Sequence, residues 1–593
     1  MLNEKQIKTD LCVVGGGLAG VCAAIAAARH GIQVVLMHER AMLGGNASSE
    51  IRMWVCGAHG KNNRETGIVE EIMLENLYRN PTKNYFIWDS ILLDFVKREP
   101  NIRLLLNTTC MDASATEGTF PYGRTRKIDW VKGYQMTTQT FFTVTADYFA
   151  DCSGDSVLAP LTGAEFRYGR EAADEFGEDT YVKERDNAVM GMSCLIQGRE
   201  TNRRVVFTPS EYVTTPTDAD VENRPMDLYK STENFWYLEL GGTEDTITNA
   251  EETKERLIPL ALGTWNYLKN SGKYDADNWD LEFLGFLPAK RESRRMWGEY
   301  TVTQRDISDN TVFPDTVAFG GWPLDDHYPA GYYHRGTPNT DFKTPAPYCL
   351  PYRALYSKNV SNLLFAGRNI SMTHTAMSSI RVMATCALLG QAVGTAVSIA
   401  KKNEIPPHGV YLEHLEELQQ LLMEDDCFLP HFERNISPFC RNAALLNGSD
   451  LLRSGQDRAN RIYGTEEHCI TVTNGQPIEY RLKQKENVKA VHLVFDSDLD
   501  RDTLPGDYCE RGHVTRANVL LSSPQMHPPK TLCRAFRLTA VIDGTERELL
   551  AVSCNRKRAY HIPLEAEVTE IRLTMTENWG DTAETALVSF DFC

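Results

Sequence analysis

The sequence has no Cys-x-x-Cys spacing anywhere, although it holds fifteen cysteines. Their odd number and scatter argue against a disulfide framework, a thioredoxin-like redox pair, a zinc ribbon or an iron–sulfur cluster. Most of them read as buried small hydrophobes. Basic excess is missing too: 62 Lys and Arg face 80 Asp and Glu, a formal net charge of −18. With no local basic patch, such a chain repels phosphate backbones, so no nucleic-acid partner is expected. No apolar run reads as the roughly 20 residues a bilayer span needs, and the opening "MLNEKQIKTD" lacks the basic start and apolar stretch of a signal peptide. The expectation is a cytoplasmic protein that does not engage a membrane. Internal repeats and low-complexity segments are also absent.

What is present begins at residue 11. "LCVVGGGLAG" places a short apolar strand, Leu11 to Val14, before a glycine turn, and "LAGVCAAIAAARH" follows with apolar residues at helical spacing. Gly31 stops that helix, and "IQVVLMHER" supplies a second strand ending at Glu39. In the G-x-G-x-x-G pattern, Gly15 makes the tight turn and Gly17 lets backbone approach a pyrophosphate. Gly20 lets helix pack on strand. The anion sits at the helix N-terminus, where free N–H groups and the dipole favour it. Glu39 is placed to accept hydrogen bonds from a ribose diol. Strand, turn, helix, second strand and acid together specify a dinucleotide site, not merely a close-packed glycine turn.

Downstream, "ERAMLGGNASSE" holds Gly44, Gly45 and Asn46, and "VTADYFADCSGDSVLAPLTGAEF" holds Asp151, Gly154 and Asp155. A third stretch, 362–400, reads as a strand, a turn at Gly367 and Arg368, and a long helix from Val382. In order and spacing these resemble the FAD-dependent oxidoreductases of the fumarate-reductase and glutathione-reductase class, relatives of heterodisulfide-reductase A-like proteins. The resemblance covers about residues 8 to 405, and segments 288–306 and 318–331 resemble bacterial members. The iron–sulfur cysteines of the reductase-A relatives are absent, so their cluster relay is not carried over. The resemblance implies FAD as cofactor, held by Gly15, Gly17, Gly20, Glu39, Arg40, Gly44, Gly45, Asn46, Ser48, Asp151, Gly154, Gly367 and Arg368. It implies that Val382 and Met383 present backbone to the flavin carbonyl, with Arg381 alongside, because a helix N-terminus stabilises the negative charge of a reduced flavin.

At 593 residues the chain exceeds one ordinary core. The expected class is α/β: a Rossmann-like FAD-binding domain with an inserted α+β substrate domain and a C-terminal β-sandwich. The boundaries are 8–165 for the first FAD-binding part, interrupted by a β-meander, and 166–355 for the insertion, whose acidic segments such as "EAADEFGED" read as exposed. Residues 356–427 close the FAD-binding part. Residues 428–593 form short alternating runs between Gly, Asn and Asp turns, the pattern of a sandwich whose rhythm resembles galactose-binding-like jelly rolls. If the two cores are independent, removing residues 430–593 leaves the flavin bound.

Candidate chemistry centres on the flavin ring. His374, in the turn before the closing helix, is the expected acid–base residue, with His59 in "SSEIRMWVCGAHG" as the alternative and Arg381 beside them. "KRESRR" puts Arg291 and Arg294 within about one helical turn, able to hold a carboxylate or hydroxyls unless it is a solvated charge run. "WPLDDHYP" offers Trp322, Asp326 and His327 for stacking and hydrogen bonding to a sugar or polyol. No second cluster completes a metal site there. The function expected is hydride transfer to flavin N5 from a small polar metabolite, a carbohydrate-derived alcohol, with the electron acceptor and any self-association open. The alternative is a flavin-containing electron-transfer or glycan-binding protein without substrate oxidation of its own.

Overall fold

The computed structural model describes residues 3–229, 233–459, 468–500 and 518–593; Cys509 lies outside them. Four parallel pairings build the framework of the first sheet. β1 (Asn3–Val14) lies beside β2 (Val34–Met37), β2 beside β3 (Ile102–Leu105), and β1 beside β6 (Thr140–Asp151). The short strand Leu363–Phe365 runs parallel to the end of β6. Parallel neighbours need crossover connections. The helix Leu18–Arg29 makes the first, and the helices Ile68–Arg79 and Tyr85–Arg98 make the second. β5 (Arg124–Gln135) and β6 carry the Tyr, Phe and Thr alternation read as a meander, and β4 (Thr108–Phe120), which that reading did not include, pairs antiparallel with β5.

The polar lead is not a lead. Residues from Asn3 onward already belong to β1 and register with β6 from Asn3↔Thr140 to Val14↔Asp151. Asn3 to Gln6 are all exposed and burial alternates only from Ile7 to Thr9, which is why the front half lacks the apolar signature of a buried parallel strand.

The first helix is buried on every side, and so is the closing helix, Met383–Lys402. The two cross closely because a Cβ at Gly390 would lie 2.0 Å from the Ala19 carbonyl oxygen, and one at Gly394 would lie 2.2 Å from that of Ala23. Alanine and glycine on the facing surfaces therefore set the interhelix distance. The closing helix also corrects the reading of apolar runs. By length and apolarity it could span a bilayer, yet 94% of its apolar window is buried within the protein.

Within 166–355 a second apolar cluster forms around the helix Ala250–Asn270, with Ile196, Phe235, Leu257, Trp265 and Trp279 at its centre. Short antiparallel pairs flank it. The pair Thr316–Gly320 and Tyr348–Pro351 instead packs into the first core through Val317, Phe319, Tyr348 and Leu350. The acidic segments of this stretch are not simply exposed: Glu171 and Glu178 are buried, Glu171 against Arg295 and Glu178 accepting from Gln304 N–H.

The C-terminal region is an antiparallel sheet, with Pro477–Phe495 and Ala559–Asn578 as its long central strands. Asp543 and Gly544 both take positive φ and close the hairpin between Cys533–Ile542 and Thr545–Val552, as the right-handed twist of hairpin strands favours. This sheet is not an independent body: its apolar side chains join those of the first domain in one continuous cluster. Buried Arg458 donates to the carbonyls of Asn62 and Arg64 at 3.0 and 2.8 Å and to Thr66 Oγ1 at 2.8 Å. Arg64 in turn reaches the Ser497 carbonyl at 3.0 Å.

Candidate functional site

The turn between β1 and the first helix is shaped by three different glycine requirements. Gly15 has φ +108°, and a Cβ there would lie 2.3 Å from the Cys152 carbonyl oxygen. A Cβ on Gly20 would lie 1.9 Å from the Gly15 oxygen, so Gly20 lets the helix close on its own turn. Gly17 differs: its φ of −66° suits any residue, and a Cβ would meet nothing within 4 Å. Gly17 is the residue preceding an uncapped helix N-terminus and borders an open cavity. What excludes a side chain there is whatever the cavity receives, not the protein.

That cavity has a volume of about 610 Å³, well within the size of cofactor sites. Its lining includes Gly15, Gly17, Glu39, Arg40, Gly44, Gly45 and Asn46, then Gly154, Gly367 and Arg368, and also Arg381, Val382 and Met383. The closing helix begins there, and like the first helix it carries no side-chain cap. The close crossing of the two helices thus aims both N-termini at one cavity, with partial positive charge from each. Arg40 Nη1, Arg368 Nε and Arg381 Nε are buried without hydrogen-bond partners. Buried donors of this kind are completed by a bound group. An elongated diphosphate with a ribose and a planar ring system fits the Arg40 and Arg368 donors and the two helix N-termini.

A family description, "FAD dependent oxidoreductase", matches residues 10–422. The chain belongs to the FAD-dependent oxidoreductase family. FAD is its cofactor and redox chemistry its activity. Among proteins with curated descriptions none matches. Solved structures similar to it include Thermovibrio ammonificans THI4, at 18% identity and TM-score 0.21, covering 28% of this chain and 66% of that one. The p-nitrophenol 4-monooxygenase PnpA of Pseudomonas putida is similar at 11% identity and TM-score 0.30, over 71% of this chain and 89% of that one. The family 32 carbohydrate-binding module of Streptococcus pneumoniae EndoD is similar at 12% identity and TM-score 0.18, over 26% and 99%.

In this oxidoreductase the Gly17 backbone and the first helix would hold the FAD diphosphate, and Glu39, half exposed at the rim, the ribose. Asp151 and Ser48 lie outside the cavity lining. Asp151 is buried beneath the turn, where it accepts from Ser153 N–H and Oγ at 3.0 and 2.6 Å and from Leu158 N–H at 2.8 Å. It braces the cradle from below. Its neighbour Asp155 does line the cavity. Burial would raise its pKa, but Arg368 and Lys290 overcome that and hold it well below the carboxylate range. His38, which the motif does not contain, fixes the turn: Gly16 N–H donates to its Nδ1 at 3.0 Å, and its Nε2 faces the Met42 carbonyl at 2.9 Å. Burial, then Arg40, push this imidazole down to about 4, so it stays neutral.

His374 is held between two carboxylates. Its Nδ1 meets Glu292 at 2.8 Å and its Nε2 meets Asp326 at 3.1 Å. Burial lowers its pKa, but Glu292 and Asp326 outweigh that and raise it to about 10. It is an imidazolium at neutral pH with both nitrogens occupied, and it does not line the cavity. Asp326 thus pairs with His374 through Oδ1 and is absent from the cavity lining. "KRESRR" is not helical: Lys290 ends the strand segment Ala289–Lys290, Arg295 begins Arg295–Met296, and residues 291–294 between them form neither helix nor strand. Lys290 and Arg291 face the cavity, Arg294 lies over the Phe166 ring away from it, and Arg295 is buried between Glu171 and Glu292.

Trp322 and His327 stand behind the cavity wall. Trp322 packs with Trp54, Cys56 and Val382, and His59 meets its ring edge-on at 4.8 Å. His327 meets Glu239 at 2.6 Å, and Asp325 accepts from Arg381 at 3.0 Å. Residues 166–355 also supply lining that no motif marked: Met192, Leu195 and Leu287. Their only signal is apolarity, which a core shares.

Proposed function

We propose that the chain transfers hydride between a small polar metabolite, a carbohydrate-derived alcohol, and its FAD. In this reading residues 166–355 are a substrate domain inserted in the flavoprotein, and residues 428–593 a jelly-roll-like β-sandwich accessory. One observation carries the reading: the cavity bordered by the uncapped N-terminus of the closing helix is also lined by Met53, Cys56, Met192 and Leu195, together with Arg291 and Arg381. A mostly apolar wall with a few fixed polar groups is how small-molecule sites exclude water while orienting a ligand. FAD, when bound, supplies the hydride-accepting centre. Arg291 is held in place by Ser193 Oγ and the Trp236 carbonyl, each at 2.8 Å, and presents its guanidinium to ligand oxygen atoms.

Loss of hydride from an alcohol requires loss of the hydroxyl proton, and a positioned base contributes about 10²–10⁴-fold. With His374 occupied, His59 takes that role in this account. It does not itself line the cavity: it packs edge-on against Trp322, which packs with Val382 of the lining. The test is an anaerobic panel of sugars, alditols and sugar acids mixed with holoenzyme while the visible flavin absorbance is followed. Bleaching by one chemical class supports the proposal. A panel that leaves the flavin oxidised, while a reduced protein or dye couples to it, replaces the proposal with the electron-transfer reading.

A further inference from the structure

We infer that the substrate carries a carboxylate received by Arg381 and Arg291, which makes it a polyhydroxy acid and not a neutral sugar. The inference rests on the reading that this end of the cavity holds the substrate. Both guanidinium groups line it. Arg381 uses Nη2 on the Asp325 carbonyl and carboxylate, at 2.9 and 3.0 Å, while its Nε is buried with no partner. A buried donor left unsatisfied is costly, so a ligand oxygen there completes a set the fold leaves open.

The local charge balance points the same way. Burial pushes Arg291 below the ordinary guanidinium value, and Arg381 beside it pushes it further, against Glu239. The carboxylates that offset the pair, Glu239 and Asp325, are outside the cavity lining, and both are shared with His327, at 2.6 and 3.5 Å. Of the acids that do line the cavity, Asp155 is committed to Lys290 and Arg368, each within 2.9 Å. Glu39 stands at the ribose end, and Glu251 begins the Ala250–Asn270 helix. The uncapped N-terminus of the closing helix adds to the positive potential. Arg291 already pairs with Glu239 at 3.2 Å and Arg381 with Asp325 at 3.0 Å; a hydroxyl can accept a hydrogen bond from Arg381, whereas a carboxylate also makes charge-assisted bonds that match the guanidinium fork.

The test compares matched ligands on wild-type holoenzyme: gluconate and galactonate against glucitol and galactitol, at constant ionic strength, read by perturbation of the flavin spectrum. The acids are expected to saturate at concentrations about 10–100-fold below the neutral polyols, the range of a charge-assisted contact. Arg381→Lys, assayed at saturating FAD, is expected to lose about tenfold of acid affinity with little change for the polyols. Equal affinity for acids and polyols overturns the inference. So does an Arg381→Lys protein with unchanged acid affinity and weakened FAD, because the guanidinium then serves the cofactor. Acids that bind without ever reducing the flavin refute the redox reading and leave this one standing. Neutral polyols that reduce the flavin while acids fail to bind do the reverse.

Discussion

Replacing Gly17 with valine separates the fold from its cofactor. The site has φ −66° and ψ 177°, extended backbone that valine adopts freely, and its Cβ would meet no atom within 4 Å. Folding should therefore change by no more than about 0.5 kcal/mol, the range of substitutions that disturb no packing, or gain slightly from the less flexible unfolded chain. The new side chain points into the space that the diphosphate needs. Ligand linkage sets the magnitude: FAD at about 100 times its Kd stabilises the wild type by about 2.7 kcal/mol. In Gly17→Val that increment should vanish while the apoprotein melts as before. Gly15→Ala is the contrasting case: φ +108° and a 2.3 Å approach to the Cys152 carbonyl oxygen make it a folding defect. Thermal melts of both variants with and without FAD, together with the visible spectrum, make the measurement. A Gly17→Val protein that purifies yellow and keeps its FAD-dependent stabilisation would refute the reasoning.

Glu39→Gln should weaken FAD by about 5–100-fold and leave the fold intact, since it removes charge from hydrogen bonds at a rim position; equilibrium dialysis measures it. His374 has a folded pKa raised from 6.5 to about 10, so its stabilising contribution is complete below about pH 6.5 and is lost as pH rises through 10. Urea unfolding at pH 7 and 10.5 should show wild type losing a few kcal/mol more than His374→Gln, and equal losses would contradict the imidazolium assignment. Removing residues 430–593 should give insoluble or flavin-free protein, because it strips Arg458 from the Asn62, Arg64 and Thr66 contacts and opens a shared core; soluble yellow truncated protein would argue otherwise.

The parts of the fold legible in the sequence are those governed by short-range rules. The strand–turn–helix around Gly15 and the closing helix from Met383 follow from spacing and from glycine chemistry that operates over a few residues. The Asp543–Gly544 hairpin follows from turn propensity in the same way. What failed was the reading of charge. Arg295 and Glu171 are 124 residues apart, and His374 and Glu292 are 82 apart, yet each pair is buried together. A run such as "KRESRR" looks the same whether its partners are water or carboxylates brought in from another segment. His374 shows the consequence: its position in the closing loop suggested a base, and the two carboxylates that make it a fixed cation come from distant segments. The front of β1 was missed for a related reason, since a strand paired on an exposed face carries no apolar pattern.

In the proposed reaction this oxidoreductase takes hydride from the carbinol carbon of a polar alcohol. Anaerobic stopped-flow reduction of the bound flavin, with a reactive panel member and its carbinol-deuterated counterpart, tests that claim most directly. The account predicts reduction slowed severalfold by deuterium at that carbon alone. Reduction at the same rate with both, or none by any alcohol, would contradict it.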